Sequence, residues 1–493
     1  MEKLNTLKQD WLGNPRADVM AGIVVALALI PEAIAFSLIA GLNPMIGLYA
    51  SFIIAMVISI TGGRPAMISA ATGAMVLLVV DLVKDYGLQY LLAAGILAGL
   101  IQITLGLLGI ARLMKFIPRA VMVGFVNALA ILIFQAQLPQ FEGETWIMWS
   151  IVAVSLAIIL IFPRITSAIP APLVAIVAMT LLVFFMGLET KTIGDMGTIT
   201  ATLPMFLLPD IPLTLETLMI ILPYSISLAF VGLIESLLTA QIVDDMTGTD
   251  SDKNRESKGQ GVANIIAGFF GAMPGCAMIG QSVINVSSGA RGRLSTFTAG
   301  LALLIMIMTM SNILMLIPVG ALVGVMFFVS YATFDWGSLK TLKTGQKSDS
   351  VVMVTTVLAT VLTHDLSIGV IAGIVTAAVI FAAKISRVEL KRRQDEQHVH
   401  YEVNGQLFFA STSDFVNQFE VDEDVEAGIK EVSIDFANTH LWDDSAIGAI
   451  DKVVFKYRSV GIEPNLMNLN KDSEKLLNTL ALHLRQHEAN AGH

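Results

Sequence analysis

The sequence predicts an α-helical membrane protein of about fourteen spans, followed by a small water-soluble domain. Three observations point there. Hydrophobic residues make up 55% of the 493 residues and charged residues only 14%, where a soluble chain carries about 25% charge. The apolar residues gather into stretches of about 20, the length that crosses a bilayer. Charge is also segregated: residues 1–390 hold 20 Lys+Arg against 22 Asp+Glu, and residues 391–493 hold 10 against 18. The first part reads as a membrane domain, the second as an acidic soluble one. The single cysteine, Cys276, excludes an intramolecular disulfide.

In chain order, the start MEKLNTLKQDWLGNPR is polar and lacks the apolar core of a signal peptide, so the first span is expected to remain in the mature protein. That span reads VMAGIVVALALIPEAIAFSLIA, with Pro31-Glu32 near its centre. A carboxylate there costs about 2.5–3.5 kcal/mol in hydrocarbon, so it must face protein or water. Pro31 removes a backbone donor, which a membrane helix tolerates where neighbours or a cavity satisfy the freed groups. A buried acid beside a helix break suggests a transport site. The spans centre near Leu29, Ile54, Leu77, Ala98, Leu129, Ser155, Val177, Leu228, Ile266, Val283, Leu304, Val325, Leu358 and Ile374.

Charge placement tests that count, because Lys and Arg collect on the cytoplasmic side. From a cytoplasmic N-terminus, the inside loops hold Arg64; Arg112, Lys115 and Arg119; Arg164; Lys253, Arg255 and Lys258; Arg291 and Arg293; then Lys340, Lys343 and Lys347. Lys384 and Arg387 follow the last span, and outside loops hold only Lys84 and Lys191. An even number of spans places both ends and the tail domain in the cytoplasm, with the protein in the cell (inner) membrane.

Fourteen spans divide into two sevens around the outside loop of roughly residues 188–216. The third span is entered through RPAMISAATGAM and the tenth through MPGCAMIGQS, both small, polar and interrupted by Gly or Pro. Interrupted segments at matching places in two halves point to a transporter binding site. Their helix starts would aim unpaired N–H groups and positive dipole ends at one point, which favours an anion. The alternative is that Gly and Ala there only let helices pack closely.

IPEAIAFSLIAGLNPMIGLYAS, ISAATG, LIESLLTA and NVSSGARGR together resemble the sulfate permease (SulP) family, in its bacterial members. The tail, with YEVNGQLFFASTSDF, VSIDFANTHLWDDSAIGAI and GIEPNLMNLN, resembles a STAS domain. The resemblance implies a 7+7 inverted repeat with a uracil-permease-like core and gate, followed by a small α/β STAS domain. It places a transport domain over residues 1–390 (repeats about 16–187 and 217–387) and the STAS domain over residues 391–493. It further implies an elevator-like motion of core against gate, and a homodimer.

The same resemblance supplies candidate residues. Glu32 and Phe36 lie four apart on one helix face, where the family usually has Gln and an aromatic beside the anion. Thr72 and Gly73 belong to ISAATG. Backbone N–H groups of Gly73, Ala277, Ile279 and Gly280 would complete the site. Gln281 stands where many relatives carry Arg, and no basic residue lies from Met273 to Ala290. The site thus loses a cation and gains an acid. Glu235 and Thr239, also four apart, lie where an acid in related transporters is linked to cation coupling. Two carboxylates beside a site for anions cannot both stay charged when substrate arrives. One of them should bind a proton, or share a sodium ion with Thr239. Glu235 is the expected coupling residue. The plainer alternatives are a Thr239 hydroxyl bonded to its own helix carbonyl and a Glu235 bonded to backbone. Asn127 and Asn264 read first as interhelical glue. Ser445 in WDDSAIG occupies the position phosphorylated in STAS domains of the sigma-factor type; the preferred alternative is an N-cap hydroxyl.

The leading reading is therefore secondary symport of bicarbonate, sulfate or a dicarboxylate with H+ or Na+, with no cofactor, no metal and no nucleic-acid partner. A nucleobase:cation symporter on the same fold, an uncoupled anion channel or exchanger, and a membrane-tethered signalling scaffold are its rivals. No nucleotide loop or nucleophile–base constellation supports an enzyme. His364-Asp365 is read as an outside turn, and the C-terminal histidines as disordered.

Overall fold

The computed structural model describes residues 8–109, 117–166 and 169–482. Arg112, Lys115 and the histidines after residue 482 lie outside the described residues. The chain divides into two compact units, Met1–Ile374 and Val375–His493.

The first unit begins with α1 (Pro15–Ile39) and α2 (Pro44–Thr61). Each opens in the same way: an Asn caps the helix and a Pro takes its first position. Asn14 Oδ1 accepts from the Ala17 N–H (3.4 Å) and Asn43 Oδ1 from the Met45 N–H (2.9 Å). Proline there gives up an N–H that a helix start could not pair anyway. The break expected at Pro31 is absent, and α1 runs through it without interruption. A strand β1 (Ser69–Ala70) then leads into the short helices α3 (Gly73–Leu77) and α4 (Val80–Tyr86). Four longer helices follow: α5 (Leu88–Leu107), α6 (Arg119–Gln137), α7 (Trp146–Ile161) and α8 (Ala171–Met186). The long loop after them carries one short helix, α9 (Ile193–Met196).

The second half repeats the plan. Helix α10 (Leu215–Thr247) has 33 residues, about 50 Å of helix, more than a bilayer core needs. It is followed by α11 (Lys253–Phe269), β2 (Cys276–Ala277) and the short α12 (Ile279–Ser287). Then come α13 (Arg293–Leu314), α14 (Val319–Thr333), α15 (Trp336–Thr344), α16 (Lys347–Thr363) and α17 (Leu366–Ile385). Each of the fourteen expected centres falls inside a helix. The expected length of about 20 residues fails at several. Among the described residues nine helical stretches are long and apolar enough to cross a membrane. The segments at the third and tenth places are too short to cross alone.

Small residues let the helices approach. A Cβ on Gly99 of α5 would lie 2.5 Å from the Gly261 carbonyl oxygen of α11, and the reverse addition collides as well. Only glycines allow this backbone-to-backbone packing, which membrane helices use in place of a hydrophobic drive.

The second unit is a small α/β domain. Its sheet has the order β3 (Glu389–Asp395), β4 (His398–Leu407), β5 (Glu431–Leu441), β6 (Pro464–Met467), antiparallel between β3 and β4 and parallel elsewhere. Helices α18 (Thr412–Asn417), α19 (Val421–Glu426), α20 (Asp444–Ser459) and α21 (Lys471–Leu480) complete it. Val399, Tyr401, Val403, Ile434, Phe436, Ile450 and Tyr457 form its core. Buried Asp424 accepts from Arg392 Nη2, Tyr401 Oη and Tyr457 Oη, each at 2.7 Å. Burial holds both phenols above their ordinary pKa, so they stay as donors to the carboxylate.

Candidate functional site

Strands β1 and β2 pair antiparallel, Ser69 opposite Ala277 and Ala70 opposite Cys276. The Met278 N–H extends the ladder to the Ile68 carbonyl (2.8 Å), and the Ile68 N–H donates to Ser282 Oγ (3.0 Å). Each strand is also held by a serine from a long helix. The Ala71 N–H donates to Ser51 Oγ (3.4 Å) and the Ala277 N–H to Ser236 Oγ (3.1 Å). Within two residues each strand turns into a helix, α3 or α12. Because the strands run antiparallel, the helices leave in opposite directions with their N-terminal ends at the crossing.

The two helix starts differ. Thr72 caps α3, its Oγ1 accepting from the Met75 N–H (3.4 Å). A Cβ on Gly73 would meet Phe36 Cε1 at 3.0 Å and Ile133 Cδ1 at 3.1 Å. Met278 caps α12 without a side-chain bond. The first amide of that turn with a partner is Ser282 N–H, to the Met278 carbonyl (3.0 Å). The N–H groups of Ile279, Gly280 and Gln281 find no acceptor among the described residues, as a helix start leaves them. Gly280 is exposed, and a Cβ there would have nothing within 4 Å. The buried Gln281 side chain reaches the half-buried Glu32 carboxylate across from α1.

Glu235 of α10 joins the crossing through a residue the sequence did not single out. The Cys276 thiol donates to Glu235 Oε2 (2.9 Å), and Thr72 Oγ1 lies 3.1 Å from the same sulfur. Glu235 is 6% exposed. Thr239 Oγ1 donates to the Glu235 backbone carbonyl (2.7 Å), the ordinary bond of a helical threonine. The structure thus brings Glu32 to Gln281, Phe36 to Gly73, and Thr72 to Glu235 by way of Cys276. Backbone bonding of the Glu235 carboxylate, the plainer alternative, is not what is found. The Ala277 N–H is already taken by Ser236, so of the named amides it is not available to a ligand.

Two asparagines hold helices together. Asn264 Oδ1 accepts from the Gly275 N–H and its Nδ2 donates to Gln102 Oε1, both at 2.9 Å. Asn127 is bonded to Ser338 and to the Asp335 N–H. Asn264 is the last of three polar residues spaced by four on α11. Glu256 Oε2 accepts from the Gly63 and Arg64 N–H groups (2.7 and 3.1 Å), and Gln260 Nε2 donates to Ser69 Oγ (2.6 Å). One face of α11 therefore fixes the approach to both strands. Glu256 and Gln260 were missed in the sequence, although their spacing with Asn264 was the available signal.

In the second unit Asp443 caps α20, accepting from the Ala446 N–H (3.0 Å). Ser445 is exposed at the second helical position. The N-cap alternative for Ser445 is corrected: the preceding aspartate does that work.

A broken-helix site inside a bundle of apolar spans defines a membrane transporter. The sequence matches the sulfate permease family over residues 16–148 and 142–356, and the STAS domain over residues 389–488. The putative sulfate transporter YbaR of Bacillus subtilis (strain 168) is 59% identical over 477 residues, covering 97% of this chain and 99% of its own. The solved transmembrane domain of a cyanobacterium bicarbonate transporter, BicA, matches with a TM-score of 0.66 at 27% identity, over 73% of this chain and 98% of that one. The murine Slc26a9 anion transporter in its inward-facing state matches with a TM-score of 0.79 at 17% identity, over 96% and 88%, which shows the shared fold. The chain belongs to the sulfate permease family. It is a multi-pass membrane anion transporter and not an enzyme.

Proposed function

We propose that this transporter accumulates a small oxyanion by symport with H+ or Na+. Sulfate, bicarbonate and a dicarboxylate are the candidate cargoes. The first two are those named for the relatives above. The anion would sit at the open start of α12, on the free amides of Ile279, Gly280 and Gln281, with Gly73 and Phe36 closing the opposite side. Oriented amides and a positive dipole end favour such a ligand.

The observation that carries the coupling is the arrangement of acids. Glu32 meets Gln281, and Glu235 meets Cys276, which also contacts Thr72. No arginine or lysine occupies the segment from Met273 to Ala290. An anion entering beside two carboxylates needs an accompanying cation. Glu235 would take the proton or, with the free lone pairs of Thr239, the sodium ion; hard oxygen ligands suit sodium. The core would carry both ions past the gate in an elevator-like motion. We further propose a homodimer in the cell membrane, with the transport domain (residues 1–390) preceding a cytoplasmic STAS domain (residues 391–493). Ser445 on that domain would be open to phosphorylation.

The test is uptake of labelled bicarbonate, sulfate and fumarate into proteoliposomes, under proton and sodium gradients imposed separately. Accumulation of one anion above equilibrium under one gradient names cargo and ion together. Flux that stops at equilibrium under both gradients rejects symport.

A further inference from the structure

Helix α15 is a nine-residue helix between α14 and α16; alone it is too short to cross a bilayer, and with Lys340 and Lys343 on it, it belongs at a membrane face. Its start is pinned. Asp335 caps it through the Gly337 N–H (2.9 Å). Asn127 of α6 accepts from the Asp335 N–H and donates to Ser338 Oγ, both at 2.8 Å. Ser338 is the one buried residue of the helix, which fixes the side that meets the protein.

The remaining sides are bare. Trp336, Leu339 and Leu342 are 53%, 44% and 39% exposed. At 3.6 residues per turn they fall within an arc of about 120°. Lys340 and Lys343 border or enter that arc, and Lys347 follows at the start of α16. All three lysines are exposed, and none has a carboxylate partner among the described residues. The Trp336 indole is held in place, its Nε1–H donating to the Tyr331 carbonyl (3.0 Å) and its ring packed on Tyr331 and Phe334.

An apolar arc with an amphipathic tryptophan, bordered by unpaired lysines on flexible stems, fits the boundary between acyl chains and head groups. We infer that α15 is an interfacial docking surface for anionic phospholipid: Trp336, Leu339 and Leu342 enter the acyl region, and Lys340, Lys343 and Lys347 hold head-group phosphate. The occupant is the bilayer and not a protein, because exposed lysines without carboxylate partners border the apolar arc and complement anionic head groups. Asn127 then anchors a lipid-binding element onto α6, a role beyond gluing two spans.

The experiment uses the full chain with Trp11, Trp146, Trp149 and Trp442 replaced by Phe, leaving Trp336. The protein is reconstituted in phosphatidylcholine vesicles containing a minority of phosphatidylglycerol, with bromine placed on the acyl chains of one lipid or the other. Brominated lipid of either kind should quench Trp336. Phosphatidylglycerol should be over-represented at the indole, by up to about fivefold for each lysine that reaches a head group. In the Lys340→Gln, Lys343→Gln, Lys347→Gln variant the excess should vanish while quenching by phosphatidylcholine persists. That persistence also reports that the helix is still folded and seated. No quenching by either lipid overturns the inference and points to a protein covering this face. A phosphatidylglycerol excess that survives the triple substitution also overturns it, since the lysines would then not select the lipid.

Discussion

The two half-helices at the crossed strands occupy matching places, and they differ in what fills the first turn. At α3, Thr72 supplies its own capping oxygen, and Phe36 and Ile133 leave no room beside Gly73. At α12, the capping residue is Met278, no side chain takes the amides, and Gly280 opens on empty space. One start is crowded beside Gly73 and has its third amide capped, although its Gly73 and Ala74 N–H groups find no acceptor among the described residues. The other has three unpaired donors, no side-chain cap, and open space beside the exposed Gly280. A near-symmetric frame thus yields one wall and one open seat.

The largest expected effect that separates the two starts is steric. Gly73→Val drives two methyl groups into Phe36 and Ile133, and should lower stability by up to about 3 kcal/mol, with transport lost. Gly280→Ala adds a methyl into open space and should change stability by less than about 0.5 kcal/mol. Thermal unfolding of both variants in detergent measures the contrast, and equal losses would break it.

A smaller effect concerns the bridge between the starts. Cys276→Ala removes the thiol that donates to Glu235, at a cost of about 1.5 kcal/mol. The half-saturating concentration of the coupling cation should shift close to tenfold, and Cys276→Ser, which keeps a donor, should restore most of it. If alanine and serine behave alike in cation-dependence assays, the thiol does not position Glu235.

The smallest effect exchanges the caps. Thr72→Ala should cost about 1 kcal/mol through loss of the N-cap. Met278→Ser offers an oxygen to the free amides and should raise the anion KM because that oxygen competes with substrate, while loss of the buried methionine side chain lowers stability. An unchanged KM would show that the anion does not use these amides.

Much of this was legible in the chain. Pro31-Glu32 could be read because a carboxylate in a long apolar run is costly unless protein or water receives it. The approaches to α3 and α12 could be read because Gly, Pro and small polar residues interrupt two segments at matching places. The helical membrane fold followed from the length and composition of the apolar stretches. Other parts had no sequence signal strong enough. Cys276 is a lone cysteine, and nothing in its spacing says that its thiol meets Glu235. Ser51, Ser236 and Ser282 look like any serine in a helix, where the default partner is the helix's own carbonyl; only the fold shows that strand amides reach them. The continuity of α1 through Pro31 depends on its packing, which local preference for a kink does not reveal. Asp443, and not Ser445, caps α20 because the helix begins two residues earlier than the serine reading required. Helix α15 shows in the sequence only as Lys340 and Lys343 between two apolar stretches, since its apolar residues lie three apart over too few turns to register as a period.

The most direct test of the central claim is anion accumulation by Glu235→Gln in sealed proteoliposomes under the driving gradient. Glutamine keeps the size and a hydrogen-bonding oxygen near Cys276 but cannot bind a proton or neutralise sodium. The account predicts that the variant still equilibrates the anion while accumulation above equilibrium disappears. Accumulation equal to that of the unaltered protein would contradict the assignment of Glu235 as the coupling residue.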